Sequence, residues 1–238
     1  MSPAYDVKYM FTGHGLAEEN AMVPVKYESP YDGVDRGTDV YRVMDLDLDG
    51  VCADYTEAMR QWLVHAGRMA ADTYPDMTRY DMTSATGWPF QSVEEYKQAH
   101  REAEANHLYA TMPVIQGAPE ALRRLADEHV YIRVVTHRLF VSGQHQIVVS
   151  DTAKWLDDNH IPYMSLCFTG LKDTMHATIH IDDSPANILA LRQAGEHVVV
   201  FDQPYNRQLD GPRLSAWDET SVPKLMAWMD QWCDDSGK

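Results

Sequence analysis

The sequence predicts an α/β fold: a parallel sheet with helices on both faces and a small helical insert after the first strand. Three observations carry this. An apolar run over 40–46 leads straight into Asp47, Asp49 and Gly50. Apolar residues at helical spacing follow that loop directly, from position 55 to position 69. From about residue 113 onward, apolar strands alternate with helical segments, and strands separated by helices pair in parallel.

Taken in order, residues 1–39 scatter Gly, Pro and charge with little periodicity and read as an irregular extension. Strand one spans 40–47. A helix from Asp54 to about Met69 has apolar residues at 55, 58, 59, 62, 63, 66 and 69. Pro75, Gly87 and Pro89 punctuate a loop over 73–91. Ser92-Val93-Glu94-Glu95 is a capping box that opens a helix toward His107. Residues 53–112 thus form a helical insert, between core segments 40–52 and 113–238.

After the insert, Pro119 starts a helix that runs to Glu128, and 130–136 is a strand. A helix over 151–159 is capped by Ser150 or Asp151. Short strands are expected at 163–168, 177–182 and 197–201, with a helix from Ser184-Pro185 to Gly195 between the last two. Asp47, Asp49, Thr136, Asp182 and Asp183 all fall at predicted strand ends, where such sheets bind ligands.

The chain of 238 residues carries a net charge of −16, which disfavours nucleic acid as a partner. A small phosphate ester remains open if a metal and one or two lysines correct the local field. Cys52, Cys167 and Cys233 are widely spaced and odd in number, the pattern of reduced thiols in a cytoplasmic protein. Neither a signal peptide nor a membrane span is evident. The acidic tail, Asp230–Asp234, reads as a solvated end.

Carboxylates at the end of an apolar strand are costly unless a cation or a proton neutralises them. Two parses compete. Asp45-x-Asp47-x-Asp49-Gly50 matches the first half of an EF-hand calcium loop, but the twelfth position is Thr56 rather than Glu, and a strand, not a helix, leads in. The other parse takes Asp47-Leu48-Asp49-Gly50-Val51 as the end of the first strand, with Asp45 inside it on the same face.

The second parse resembles the first motif of the haloacid dehalogenase superfamily, and the remaining signals follow in order: Thr136, Lys154 and Asp182-Asp183. More narrowly, the chain resembles the 5'(3')-deoxyribonucleotidase family and its bacterial and phage relatives. The stretches concerned are Asp47–Tyr55, Pro113–Leu122, Val134–Arg138, Lys154–Leu156, Phe168–Lys172, Ile181–Pro185 and Phe201–Arg207. One departure is His137, where that family often has Ser; it bears on phosphate contacts or substrate choice.

The resemblance implies a Rossmann-like core with a small cap, and a Mg²⁺-dependent phosphatase acting on a small nucleotide. Asp47 is then the nucleophile and Asp49 the acid/base, with Thr136 and Lys154 on the phosphoryl oxygens and Lys172 as the rival lysine. Mg²⁺ is held by Asp47, Asp49 (through its carbonyl), Asp182 and Asp183, with Asp183 the better ligand of the pair. Tyr55, Trp88 and Phe90 are expected to wall the substrate, with His137 and Lys172 nearby; the competing reading of Trp88 and Phe90 is core packing of the insert. A phosphatase of another ester, a dehalogenase and a calcium-stabilised binding module are the alternatives. Asp49 argues against the dehalogenase, since halide release needs no acid. Neither nucleic acid nor a membrane is an expected partner, and a homodimer stays open.

Overall fold

A computed structural model describes residues 42–140 and 143–236. The extension expected over 1–39 lies outside the described residues. Five short strands, β1 (Val43–Leu46), β2 (Tyr131–Thr136), β3 (Ser165–Phe168), β4 (Ile179–Asp182) and β5 (Val198–Phe201), are joined by a two-residue sixth, β6 (Arg213–Leu214). They form one sheet in the order β3-β2-β1-β4-β5-β6, with every pair parallel.

The period of two along β5 assigns its faces. Val199 and Phe201 belong to the large core cluster, while Val198 and Val200 pack with Ile188 and Leu191 of the helix Pro185–Gln193. The sheet is therefore covered on both sides, as an all-parallel sheet must be. Fully burying each such aliphatic side chain contributes roughly 1.5–3 kcal/mol.

The insert holds α1 (Tyr55–His65), α2 (Val93–Ala105) and the single turn α3 (Leu108–Thr111). The core helices are α4 (Ala118–Asp127), α5 (His145–Asp158), α6 (Pro185–Gln193) and α7 (Ser221–Ser236). Asp54 caps α1, accepting from the Glu57 N–H at 2.9 Å. The helix stops at His65 rather than near Met69, because Gly67 takes φ +69° and turns the chain out of it. Ser92 caps α2 as expected, but the Glu95 carboxylate accepts from Gln91 N–H, one residue before the cap.

The expected start of α5 is corrected. α5 starts at His145, so Ser150 and Asp151 lie inside it; Asp151 is buried, and its carboxylate bonds His107 of the insert at 3.0 Å. Asp230, in the end read as solvated, is exposed as expected, but it belongs to α7 and pairs with Arg42. Val222, Leu225 and Met229 of that helix are buried at helical spacing. No described helix is long and apolar enough to cross a membrane.

Candidate active site

The three central strands, β2, β1 and β4, deliver the site residues from their carboxyl ends. Asp47 follows β1, and its backbone N–H bonds Ile181 C=O of β4 at 3.0 Å. A tight turn comes next, in which Leu48 C=O accepts from the N–H groups of Val51, Cys52 and Ala53. Gly50 in this turn has φ +80°, and a Cβ there would lie 2.0 Å from Asp183 Oδ2. Glycine is what lets the Asp47–Asp49 turn close onto the acidic pair of β4.

One carboxylate oxygen each from Asp47, Asp182 and Asp183 lies within 4.8 Å of the other two, and all three residues are buried. Lys172 Nζ reaches Asp47 Oδ1 at 2.8 Å and Asp182 Oδ2 at 2.7 Å. Asp182 also accepts from Ser184 N–H at 2.9 Å and from Asn187 at 3.2 Å. Asp183 accepts from the Tyr205 hydroxyl.

Three buried carboxylates against one ammonium leave the cluster short of positive charge. Burial pushes the Asp47 carboxyl up to about 7, and Asp182 and Asp49 add to this against the pull of Lys172. Burial, with Asp47 and Asp182 behind it, raises Asp183 well above the carboxylate range. Burial works against the charge of Lys172, but Asp182 and Asp47 outweigh it and hold the ammonium above its ordinary range. The donor set is all oxygen and carries excess charge, which fits a hard divalent cation.

Thr136 ends β2 with its hydroxyl buried and without a hydrogen-bond partner. An unmet buried hydroxyl costs about 1–3 kcal/mol. It opens on a cavity of about 420 Å³ that Asp47, Lys172, His137 and Asn187 also line, so a ligand oxygen would satisfy it. A second cavity, of about 280 Å³, shares Asp49, Tyr55, Tyr80 and Tyr96 with the first and is walled further by Met77, Met82, Trp88 and Tyr205.

The structure gathers Asp47, Asp49, Thr136, Lys172, Asp182, Asp183, His137, Tyr55 and Trp88 around these two cavities. It does not bring Lys154, which is exposed on α5 and pairs with Asp158 one turn on. Lys172 holds the place given to either lysine. Phe90 does not line either cavity. It is buried in the insert, stacked on Trp88 at 6.1 Å and edge-on to Tyr96 at 5.4 Å; Trp88 is packed in the same core cluster but also lines the second cavity. The side chain of Asp49 is outside the carboxylate triad and is gripped by Arg138.

The calcium-loop parse is not formed. Asp45 is outside the carboxylate triad and is taken up by its cross-strand neighbours, with Arg133 at 2.6 Å and His180 at 3.5 Å, although it lies beside Asp47, Lys172 and Asp182.

Arg138, Tyr205 and Tyr96 are the residues that sequence reasoning passed over. Arg138 and Tyr205 lie inside stretches already noted, at strand ends beside Thr136 and beyond Phe201. Tyr96 sits one residue past the capping box of α2, on the turn that faces Tyr55.

The all-parallel sheet with a buried acidic cluster at its strand ends is a haloacid dehalogenase-like fold. A haloacid dehalogenase-like family hydrolase from Xanthomonas campestris superposes with a TM-score of 0.50 at 12% identity, over 84% of this chain and 97% of that one. The narrower placement comes from sequence. Residues 41–227 match the family model described as 5' nucleotidase, deoxy (pyrimidine), cytosolic type C protein. A protein of Chlorobaculum tepidum, provisionally named 5'(3')-deoxyribonucleotidase, is 36% identical over 178 residues, covering 74% of this chain and 87% of that one. The chain belongs to this nucleotidase family.

Proposed function

We propose that the protein is a Mg²⁺-dependent phosphatase that removes phosphate from a deoxyribonucleoside 5'- or 3'-monophosphate through an aspartyl-phosphate on Asp47. The observation that carries this reading is one continuous arrangement. A buried carboxylate cluster with Lys172 and the unpartnered Thr136 hydroxyl adjoins a cavity walled by aromatic rings and methionines. The first end suits phosphate and the second suits a base. In this reading residues 53–112 act as the cap, and the protein works in the cytoplasm.

Asp47, Asp183 and the Asp49 carbonyl would hold the metal. Asp182 is the weaker ligand, because Lys172, Ser184 and Asn187 already occupy its oxygens. Bound there, Mg²⁺ neutralises the repulsion between an anionic carboxylate and an anionic phosphoryl group. Asp47 attacks phosphorus as the ester bond breaks. Asp49 gives a proton to the departing alkoxide, then takes one from the water that hydrolyses the intermediate. Thr136 and Lys172 hold the equatorial oxygens as charge spreads onto them. The aromatic wall supplies stacking, worth roughly 1–3 kcal/mol per base and available to any base.

Phosphate release over deoxy- and ribonucleoside 5'- and 3'-monophosphates, with sugar phosphates alongside, tests the proposal. Turnover of at least one deoxyribonucleotide, about tenfold or more above every sugar phosphate in kcat/KM and abolished by chelator, is expected. Sugar phosphates as the better substrates would move the function to another ester.

A further inference from the structure

We propose that Arg138 is the positioning residue for Asp49, holding the acid/base carboxylate at the edge of the cavity while Lys172 serves the nucleophile. This role rests on the phosphatase reading above.

Arg138 is a fully buried cation, and among the described residues its ion-pair partner is Asp49. Its Nη2 donates to Asp49 Oδ1 at 2.7 Å and its Nε to Oδ2 at 3.1 Å, a forked grip. The guanidinium is itself fixed from several sides. Nη1 donates to Thr152 Oγ1 of α5 at 3.1 Å, Nη2 approaches the Met112 sulfur at 3.7 Å, and the Tyr109 ring of α3 lies 4.4 Å below. A guanidinium locked in this way transmits its geometry to its partner. Asp49 is 27% exposed and lines both cavities, so its outer edge meets the substrate while its inner edge is held. Oδ1 takes the shorter bond, which leaves Oδ2 freer for proton exchange.

Nucleophile and acid/base thus have separate cations, and the two lysine and arginine roles separate in the reaction. In the first step the Asp47 Oδ–P bond forms, the P–O ester bond breaks, and the proton on Asp49 passes to the alkoxide. In the second a water oxygen bonds phosphorus, the Asp47 Oδ–P bond breaks, and the water proton passes to Asp49. An alkoxide needs that first proton. A p-nitrophenolate does not, yet the second step still needs the base.

Rapid-mixing kinetics of Arg138→Met and Arg138→Lys, with Mg²⁺, read this difference. With p-nitrophenyl phosphate, Arg138→Met should give a burst approaching one p-nitrophenolate per site, then turnover slowed about 10²–10⁴-fold, the usual worth of acid–base assistance. With a deoxyribonucleotide it should show no burst and at least as great a loss. Arg138→Lys keeps charge without the fork and should fall between; it decides the matter if Arg138→Met does not fold. Asp49→Asn/Arg138→Met should be no slower than Asp49→Asn alone. A raised KM with equal, burst-free losses on both esters would place Arg138 on the phosphate instead, and additive losses in the double variant would separate it from Asp49. Either result overturns the role. Wild-type protein inactive on both esters would overturn the phosphatase reading and this role with it.

Discussion

The carboxylate floor and the aromatic wall of the site are built in different ways. The floor comes from strand ends: Asp47, Thr136 and Asp182-Asp183 are delivered by β1, β2 and β4, whose register is set by backbone pairing. The wall comes from side chains spread over the insert and one core loop: Tyr55 on α1, Trp88 in a loop, Tyr96 on α2 and Tyr205 beyond β5. Backbone registers fix positions that a local motif can announce. A wall assembled across 150 residues depends on rotamers and packing, which no short motif announces. The floor is thus fixed by strand register and the wall by side-chain packing.

The largest expected effect sharpens the two parses of the acidic run. Asp47→Asn should remove turnover and leave the fold intact. Asp45→Asn should retain most activity but lower stability, because Arg133 loses its buried carboxylate. Comparison of kcat with thermal melting for the two variants checks this, and full activity in Asp47→Asn would sink the assignment.

The next effect separates the two lysines. Lys172→Met should lower kcat/KM about 10²–10³-fold and destabilise by roughly 3–5 kcal/mol, since it leaves Asp47 and Asp182 unpaired in the interior. Lys154→Met, on an exposed helix face, should stay within about twofold on activity and about 0.5 kcal/mol on stability.

A smaller effect tests the wall against the core behind it. Trp88→Ala should cost roughly 1–3 kcal/mol of nucleotide binding, seen as a selective fall in kcat/KM for the nucleotide over p-nitrophenyl phosphate. Phe90→Ala should instead lower the melting temperature, with a loss of about 3–5 kcal/mol for a buried Phe, and reduce both substrates alike. Selective loss in Phe90→Ala would return it to the wall.

The smallest concerns pH in metal-free protein. The folded Asp47 carboxyl titrates at about 7 against 3.8 for the free group, so the folded state binds the extra proton between those values. Stability from this group is full below about pH 4 and is lost as pH rises through about 7. Asp47→Asn should flatten that slope and raise the metal-free melting temperature at pH 7.5 by at least about 2–4 °C, the shift of one kcal/mol in a domain of this size. Mg²⁺ should raise the melting temperature of the wild type more than that of the variant.

Much of the fold was legible because it is periodic. The alternation of strands and helices after residue 113 and the Ser92-capped start of α2 follow local rules that the structure keeps. The misses have physical causes. β6 is two residues long and has no pattern to find. α5 begins at His145, where no side chain caps it, so its first visible signal was the polar Ser150-Asp151 inside it. In the site, the strand-end carboxylates and Thr136 stood out by position. Lys154 and Lys172 could not be ranked from sequence, since only the chain path brings Lys172 to Asp47. Phe90 and Trp88 are neighbours and both are buried in the core cluster, and packing alone decides that Trp88 also lines a cavity while Phe90 does not.

The central claim is that Asp47 carries the phosphoryl group. Rapid acid quench of the Mg²⁺-loaded protein during turnover of a ³²P-labelled deoxyribonucleoside monophosphate, followed by peptide mapping, tests it most directly. The label should sit on Asp47 itself, resolved from Asp45 by fragment sequencing, and be absent in Asp47→Asn. Label on Asp45, or phosphate release from the wild type with no covalent label at any quench time, would contradict it.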